Sequence, residues 1–256
     1  MMTDQAGEVA WARLTAAEIQ GRAAAATVVV IPVASIEQHG PHLATGVDMW
    51  LASAVAERTA RKLVAAGTPA LVTPCVWSGL AEHHMPFGGT ITLDVDSFAA
   101  VVGGVARSVA RHGFRRIALV NGHGGNTEAI ATAAIELTRS LGVPVVGVTY
   151  WQANADTFGA ILETQPNVMH ACEAETSMMM AVQADCVRPE NIARAVPKRA
   201  TPPAPPGFKR HRGFAEMTDT GVLGDPRAAS AEKGERLLEA ASTRLAEELA
   251  RPELWA

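Results

Sequence analysis

Cysteine is too sparse in this chain to hold it together. Cys75, Cys172 and Cys186 are the only three in 256 residues. An odd number at wide spacing builds no disulfide framework, and the lack of a C-x-x-C pair excludes a thiolate metal knuckle. They read as reduced thiols of a cytoplasmic protein. A surplus of positive charge is missing too: 22 Lys and Arg against 26 Asp and Glu leave a net charge of −4, which excludes the basic face that nucleic acid requires. Charges interrupt the alanine-rich stretches well short of the roughly 20 apolar residues of a membrane span. The opening stretch MMTDQAGEVAWARL has neither the basic flank nor the apolar centre of a signal peptide. Internal repeats are absent, so a solenoid is excluded. What is present is an apolar fraction of 48%, enough to core a single α/β domain spanning 1–256.

The apolar pattern alternates strand with helix. TVVVIPVA, 27–34, is a β-branched run of the kind found in buried parallel strands. Further strands are expected at 70–76, 116–120 and 143–149. Helices are expected at 48–66, 97–112, 127–141, 173–183 and 228–250, several of them stopped by Gly or Pro. This order predicts a layered α/β/α fold around a mostly parallel sheet. Ligands of such sheets bind beyond the carboxyl ends of the strands. The segment 197–224 holds PPAPPG and KRHRG with no apolar period. It reads as a long loop that covers a site, meets another subunit, or simply connects.

Three clusters carry chemistry. Glu37-Gln38-His39-Gly40-Pro41-His42-Leu43 follows the first strand, with Asp48 opening the next helix. Glu37 and His39, two apart in extended chain, point the same way and suit a divalent ion. Asp48 can bridge two ions, with the helix N-terminus supporting its charge. Asn121-Gly122-His123-Gly124-Gly125-Asn126 follows strand RIALV. Its glycines let the backbone turn sharply, His123 reads as a metal ligand, and Gly124 is where the backbone approaches a substrate. No phosphate-loop or dinucleotide fingerprint fits there. In His170-Ala171-Cys172-Glu173-Ala174-Glu175-Thr176-Ser177, His170 can deliver a proton to a leaving nitrogen. Glu173 and Glu175 cannot share a helix face. Glu173 is assigned with His170 to acid–base work and Glu175 to the metal, the alternative for Glu173 being a first-turn helix acid. The Met178-Met179-Met180 run reads as core. Of the adjacent His83 and His84, at most one faces a shared ion. His84 is taken as a pocket residue, as is Trp151 past the fourth strand. His112 and His211 read as surface histidines.

Taken together, SIEQHGPHL with its following Asp, GLAEHHMPFGGT, NGHGGN and HACEAETS resemble the creatininase family of amidohydrolases, over about residues 27–190. The resemblance implies one or two divalent ions per chain, zinc first with manganese or iron(II) as alternatives. It implies Glu37, His39, Asp48 and His123 as ligands, Asp48 as the bridge and His170 as the acid–base group. It also implies a homo-oligomer, often a hexamer. Creatinine-cleaving members carry a metal-binding glutamate where this chain has Gly125. Either the second ion is weakened or lost, or Glu175 supplies the missing ligand. NGHGGN is similar to branches with other substrates, including formamidopyrimidine deformylases and the peptidase of a redox-cofactor pathway. The expected function is cleavage of a small-molecule amide C–N bond (cyclic amide or formamide) by metal-activated water. The alternatives are a peptidase on a small peptide and a non-catalytic metal- or nucleotide-binding protein.

Overall fold

The computed structural model describes residues 7–23, 26–197, 205, 208, 210 and 212–256. His211 and much of the expected 197–224 loop therefore lie outside the described residues. The elements, in order, are α1 (Ala16–Ala23), β1 (Val28–Val33), α2 (Val47–Ala65), β2 (Ala70–Val72), α3 (Val95–Arg111), β3 (Arg116–Asn121), α4 (Thr127–Leu141), β4 (Val145–Thr149), α5 (Ala155–Ile161), α6 (Glu173–Val182), α7 (Ile192–Ala195), α8 (Phe214–Met217) and α9 (Ala231–Leu249).

The sheet is parallel throughout, in the order β2-β1-β3-β4. Every residue of β1 is buried, because helices cover both faces. Val28 and Val30 face one core with residues of α2, α6 and α9. Val29, Ile31 and Val33 face the other with α3 and α4. This is the strand alternation of period two, apolar on both sides. The layered parallel fold expected from the sequence is thus the one observed.

The differences have local causes. β2 stops at Val72 instead of Val76, since Pro74 has no N–H to pair, and a single bridge joins Val33 to Val76 further on. β4 starts at Val145 instead of Val143 because Pro144 precedes it. The short helices α1, α5, α7 and α8 have too few turns to show a clear apolar period.

The chain leaves β1 towards β2 on one side, and β3 leads to β4 on the other. The strand order therefore reverses between β1 and β3, and a crevice opens at their carboxyl ends. Residues 34–48 and 121–127 emerge into that crevice.

Candidate metal centre

Two asparagines brace the crevice. Asn126 Nδ2 donates to Ala34 O (3.1 Å) and its Oδ1 accepts from Leu80 N (2.9 Å), tying together the loops after β1, β2 and β3. Asn121 Oδ1 accepts from His123 N and its Nδ2 donates to His123 O. These bonds fix the loop that carries His123.

Five expected groups converge there, all buried: Glu37, His39, Asp48, His123 and Glu175. His123 Nδ1 lies 2.9 Å from Glu37 Oε2 and 3.1 Å from Asp48 Oδ2. His39 Nε2 lies 3.2 Å from Asp48 Oδ1 and 3.9 Å from Glu175 Oε2. Asp48 thus presents one oxygen to each of two ligand sets.

The arrangement fits divalent ions on its own chemistry. Glu37 Oε2, His39 Nε2 and Asp48 Oδ2 are buried with only the other groups of the centre in reach, a crowding of ligand atoms that an ion relieves. His123 donates its Nε2–H to Leu80 O (3.1 Å), and His39 donates its Nδ1–H to Glu37 O (3.1 Å). Each ring is thereby held with its other nitrogen facing the carboxylates, as ligating histidines usually are.

Glu175 enters from the first turn of α6. Its Oε2 accepts from Ala171 N at 2.5 Å, and Ala171 is a non-glycine residue with φ of 55°. Backbone strain of that kind costs about 1–3 kcal/mol and collects at functional sites. Gly125 has no room for a side chain: a Cβ there would come within 2.3 Å of Leu80 O and 2.4 Å of His123 Nε2. A carboxylate at this position would need a different backbone.

Glu173 is not in the centre. Its buried carboxylate binds Lys233 Nζ (2.5 Å), Thr164 N (2.8 Å) and Thr164 Oγ1 (2.7 Å). Two residues along a helix rotate a side chain by about 200°, so with Glu175 facing the crevice Glu173 faces α9.

The remaining expected residues border a cavity of about 320 Å³ beside the centre: His84, Gly124, Trp151 and His170, with His83, Glu128, Met169 and Phe214. Phe214 was not singled out from the sequence, and of the adjacent histidines only His84 was assigned to a pocket. His83 lines the same cavity, its ring 4.3 Å from that of His84, centre to centre. Phe214 arrives from α8, in the segment expected only as a loop. Its ring lies 3.9 Å from His84 and 4.7 Å from His170, centre to centre. A larger apolar groove between Trp11, Trp77 and α3 holds none of these groups.

Burial and crowding set the protonation states of the ion-free centre. Burial pulls His39 down, but Asp48, Glu175 and Glu37 outweigh it and raise its pKa to about 9. Burial opposes the charge on His123 too, and Glu37 and Asp48 carry it well above its ordinary value. Glu175 is pushed up to about 7, first by burial. Burial also tends to raise Asp48, but His39 and His123 hold it low. Neutral pH therefore leaves a proton on each of His39 and His123, and part of one on Glu175, that an ion must displace. Ion uptake by the metal-free protein at pH 7 is expected to release at least about two protons per chain, with affinity rising as pH rises. Calorimetry in buffers of different ionisation enthalpy measures the number; zero release would show that these imidazoles are not ligands.

The family model for creatinine amidohydrolases, named creatininase, matches residues 12–249. A mycofactocin precursor peptide peptidase of Mycobacterium tuberculosis is 34% identical, over 83% of this chain and 80% of its own. A creatinine amidohydrolase of Pseudomonas putida is 32% identical over 91% of each chain. Among solved structures, a creatininase mutant of Zn–Zn type superposes with a TM-score of 0.80 at 29% identity, over 94% of this chain and 96% of that one. A manganese creatininase superposes at 0.78 with 30% identity, over 94% and 97%.

Proposed function

We propose that this chain, which belongs to the creatininase family of metal-dependent hydrolases, opens a small non-peptide amide, either cyclic or a formamide. One observation carries this reading: two ligand sets sharing Asp48 adjoin a small cavity that His170 also borders. The volume of that cavity is at the lower end for small-molecule sites.

In this reading Glu37, Asp48 and His123 would hold one ion, and His39, Asp48 and Glu175 a second, with Glu175 standing in for the carboxylate missing at Gly125. Zinc is the first expectation, with manganese or iron(II) as alternatives. Divalent ions bound there would acidify water and polarise a carbonyl. His170 does the proton work. It donates Nε2–H to Gln38 O at 2.7 Å, so its Nδ1 lone pair is the free end, 3.5 Å from Glu37 Oε1. Burial first, then neighbouring His39 and His84, holds the ring neutral by lowering its pKa well below the usual value. A neutral ring takes up the proton shed as water adds to the carbonyl and returns it to the departing nitrogen. Trp151 and Phe214 bound the substrate plane, and the Gly124 backbone lets it approach.

A panel of cyclic amides, formamides and short peptides, assayed with the metal-loaded protein, tests the assignment. Turnover of a small non-peptide amide is expected. Cleavage of peptides alone would favour the peptidase reading, which the mycofactocin relative supports. No turnover at full metal occupancy would favour a binding protein. Phe214→Ala is expected to raise KM for the best small amide about tenfold and to admit bulkier ones. Unchanged selectivity would remove Phe214 from the substrate wall. A cytoplasmic location and a hexamer follow from composition and resemblance; sedimentation of the purified protein checks the assembly.

A further inference from the structure

Gln38 lies between two residues of the centre, yet its side chain turns away to join three separate parts of the chain. Its Oε1 accepts from Gly40 N at 2.9 Å, and its Nε2 donates to Gly221 O at 3.0 Å. A backbone N–H only donates and a carbonyl only accepts, so these two contacts fix which end of the amide is nitrogen. The second hydrogen on Nε2 points to His84 Nδ1 at 2.9 Å. That nitrogen must accept. The neutral ring then carries its hydrogen on Nε2, which lies 3.2 Å from Glu37 Oε1.

The main chain of the same residue settles the other histidine. Gln38 O is an acceptor only, and His170 Nε2 lies 2.7 Å from it, so His170 is also an Nε2–H tautomer. Gln38 Nε2 is 3.1 Å from that nitrogen as well, but both of its hydrogens are already engaged.

We propose that Gln38 is a positioning residue: it sets the tautomer of both cavity histidines and links the 213–224 segment to the Glu37 carboxylate through Gly221, its own amide and His84. The link has consequences for ligand assignment. Glu37, His84 and His170 lie close enough together to suggest a metal set of their own. A His84 that carries its hydrogen on the nitrogen facing Glu37 cannot ligate through it. His84 instead holds Glu37 Oε1, leaving Oε2 for the centre. The 213–224 segment is seated on the same contacts. Gly221 has φ of 78°, and a Cβ on it would come within 2.1 Å of Gln38 Oε1. Leu223 N donates to His170 O at 3.0 Å, and Phe214 packs on both rings. Sequence distant from the motifs therefore completes the orientation of Glu37.

The role of Glu37 as a ligand rests on the hydrolase reading above; the tautomers do not. Long-range ¹H–¹⁵N correlation spectra of the metal-free protein, labelled at histidine, report them directly. His84→Gln and His170→Gln assign the two rings by loss of signal. Both rings are expected as Nε2–H tautomers in the parent protein. In Gln38→Glu, which offers only acceptors to His84, the ring is expected to switch to Nδ1–H. Second-sphere substitutions of this kind cost about 10–100-fold, and the loss is expected in kcat with KM little changed. An Nδ1–H His84 in the parent protein overturns the proposal, even if the variant fails to fold. So does a folded Gln38→Glu with unaltered tautomers and unaltered kcat. If no amide is ever turned over, the spectra still decide the tautomers, and only the hydrolase reading falls.

Discussion

Asp48→Ala is expected to lose hydrolysis by on the order of a thousandfold or more and to bind less than half of the parent's metal. Among the described residues, Asp48 is the carboxylate with an oxygen within hydrogen-bonding distance of each imidazole, 3.2 Å from His39 Nε2 and 3.1 Å from His123 Nδ1. Its removal weakens both ligand sets, where the loss of Glu37 or Glu175 weakens one. Acidification of water from a pKa of 15.7 to about 7 is the chemistry at stake, which is why the effect should exceed that of any cavity substitution. Stability gives a second readout. An ion present at about a hundred times its Kd stabilises the native state by about 2.7 kcal/mol, or roughly 5–10 °C in Tm for a chain of this size. The parent protein is expected to show that gain on loading and Asp48→Ala little of it, with the two metal-free proteins melting close together. A variant that keeps full metal and activity within tenfold of the parent would remove Asp48 from the centre.

The second large effect lies on the opposite side of α6. Lys233, on α9, is buried, and its Nζ contacts Glu173 Oε1 (2.5 Å), Glu163 Oε1 (2.7 Å) and Ala228 O (2.7 Å). Burial pushes the Glu173 carboxyl up, but Lys233 and the Thr164 donors outweigh it and hold its pKa below the usual range. Its stabilising contribution is therefore present above the unfolded carboxylate pKa of about 4.3 and lost as pH falls through the lower folded value. Lys233→Met strands that carboxylate and is expected to cost about 3–5 kcal/mol, roughly 10 °C in Tm. Replacing both partners, Lys233→Met with Glu173→Met, should recover most of the loss, because a packed apolar pair often matches a buried ion pair. Thermal melts of the three proteins decide it. The same series separates structure from chemistry. Glu173→Gln is expected to lower Tm while leaving kcat within a few-fold. A collapse of kcat at unchanged Tm would restore Glu173 to the acid–base role that its position beside His170 suggests.

Much of the centre is legible in the sequence because its ligands sit where strands end. Glu37 and His39 follow TVVVIPVA, and His123 follows RIALV; a parallel sheet delivers both to one edge whatever the remaining chain does. Glu175 is legible in part, since the helix period separates it from Glu173 but does not say which of the two turns inward. The sequence names His83 beside His84 but does not place it, and it is silent on Phe214. Adjacent side chains diverge in regular structure, so spacing gives no reason to bring both histidines to one cavity, yet both line it. Phe214 stands in a proline- and arginine-rich stretch with no apolar period, so nothing local distinguishes it from a surface aromatic.

By itself, then, the order of apolar runs determined a parallel sheet covered on two sides, and the motif spacing determined which residues could reach its carboxyl edge. Both follow from periodicity, which is a local property of the chain. Tertiary structure alone decided that the strand order reverses between β1 and β3 and that Glu173 belongs to Lys233. It also decided that Gly221, 183 residues from Gln38, helps to fix the proton on His84. Those are outcomes of distance between segments remote in sequence. A hydrogen bond or an ion pair depends on ångströms that no spacing along the chain can specify.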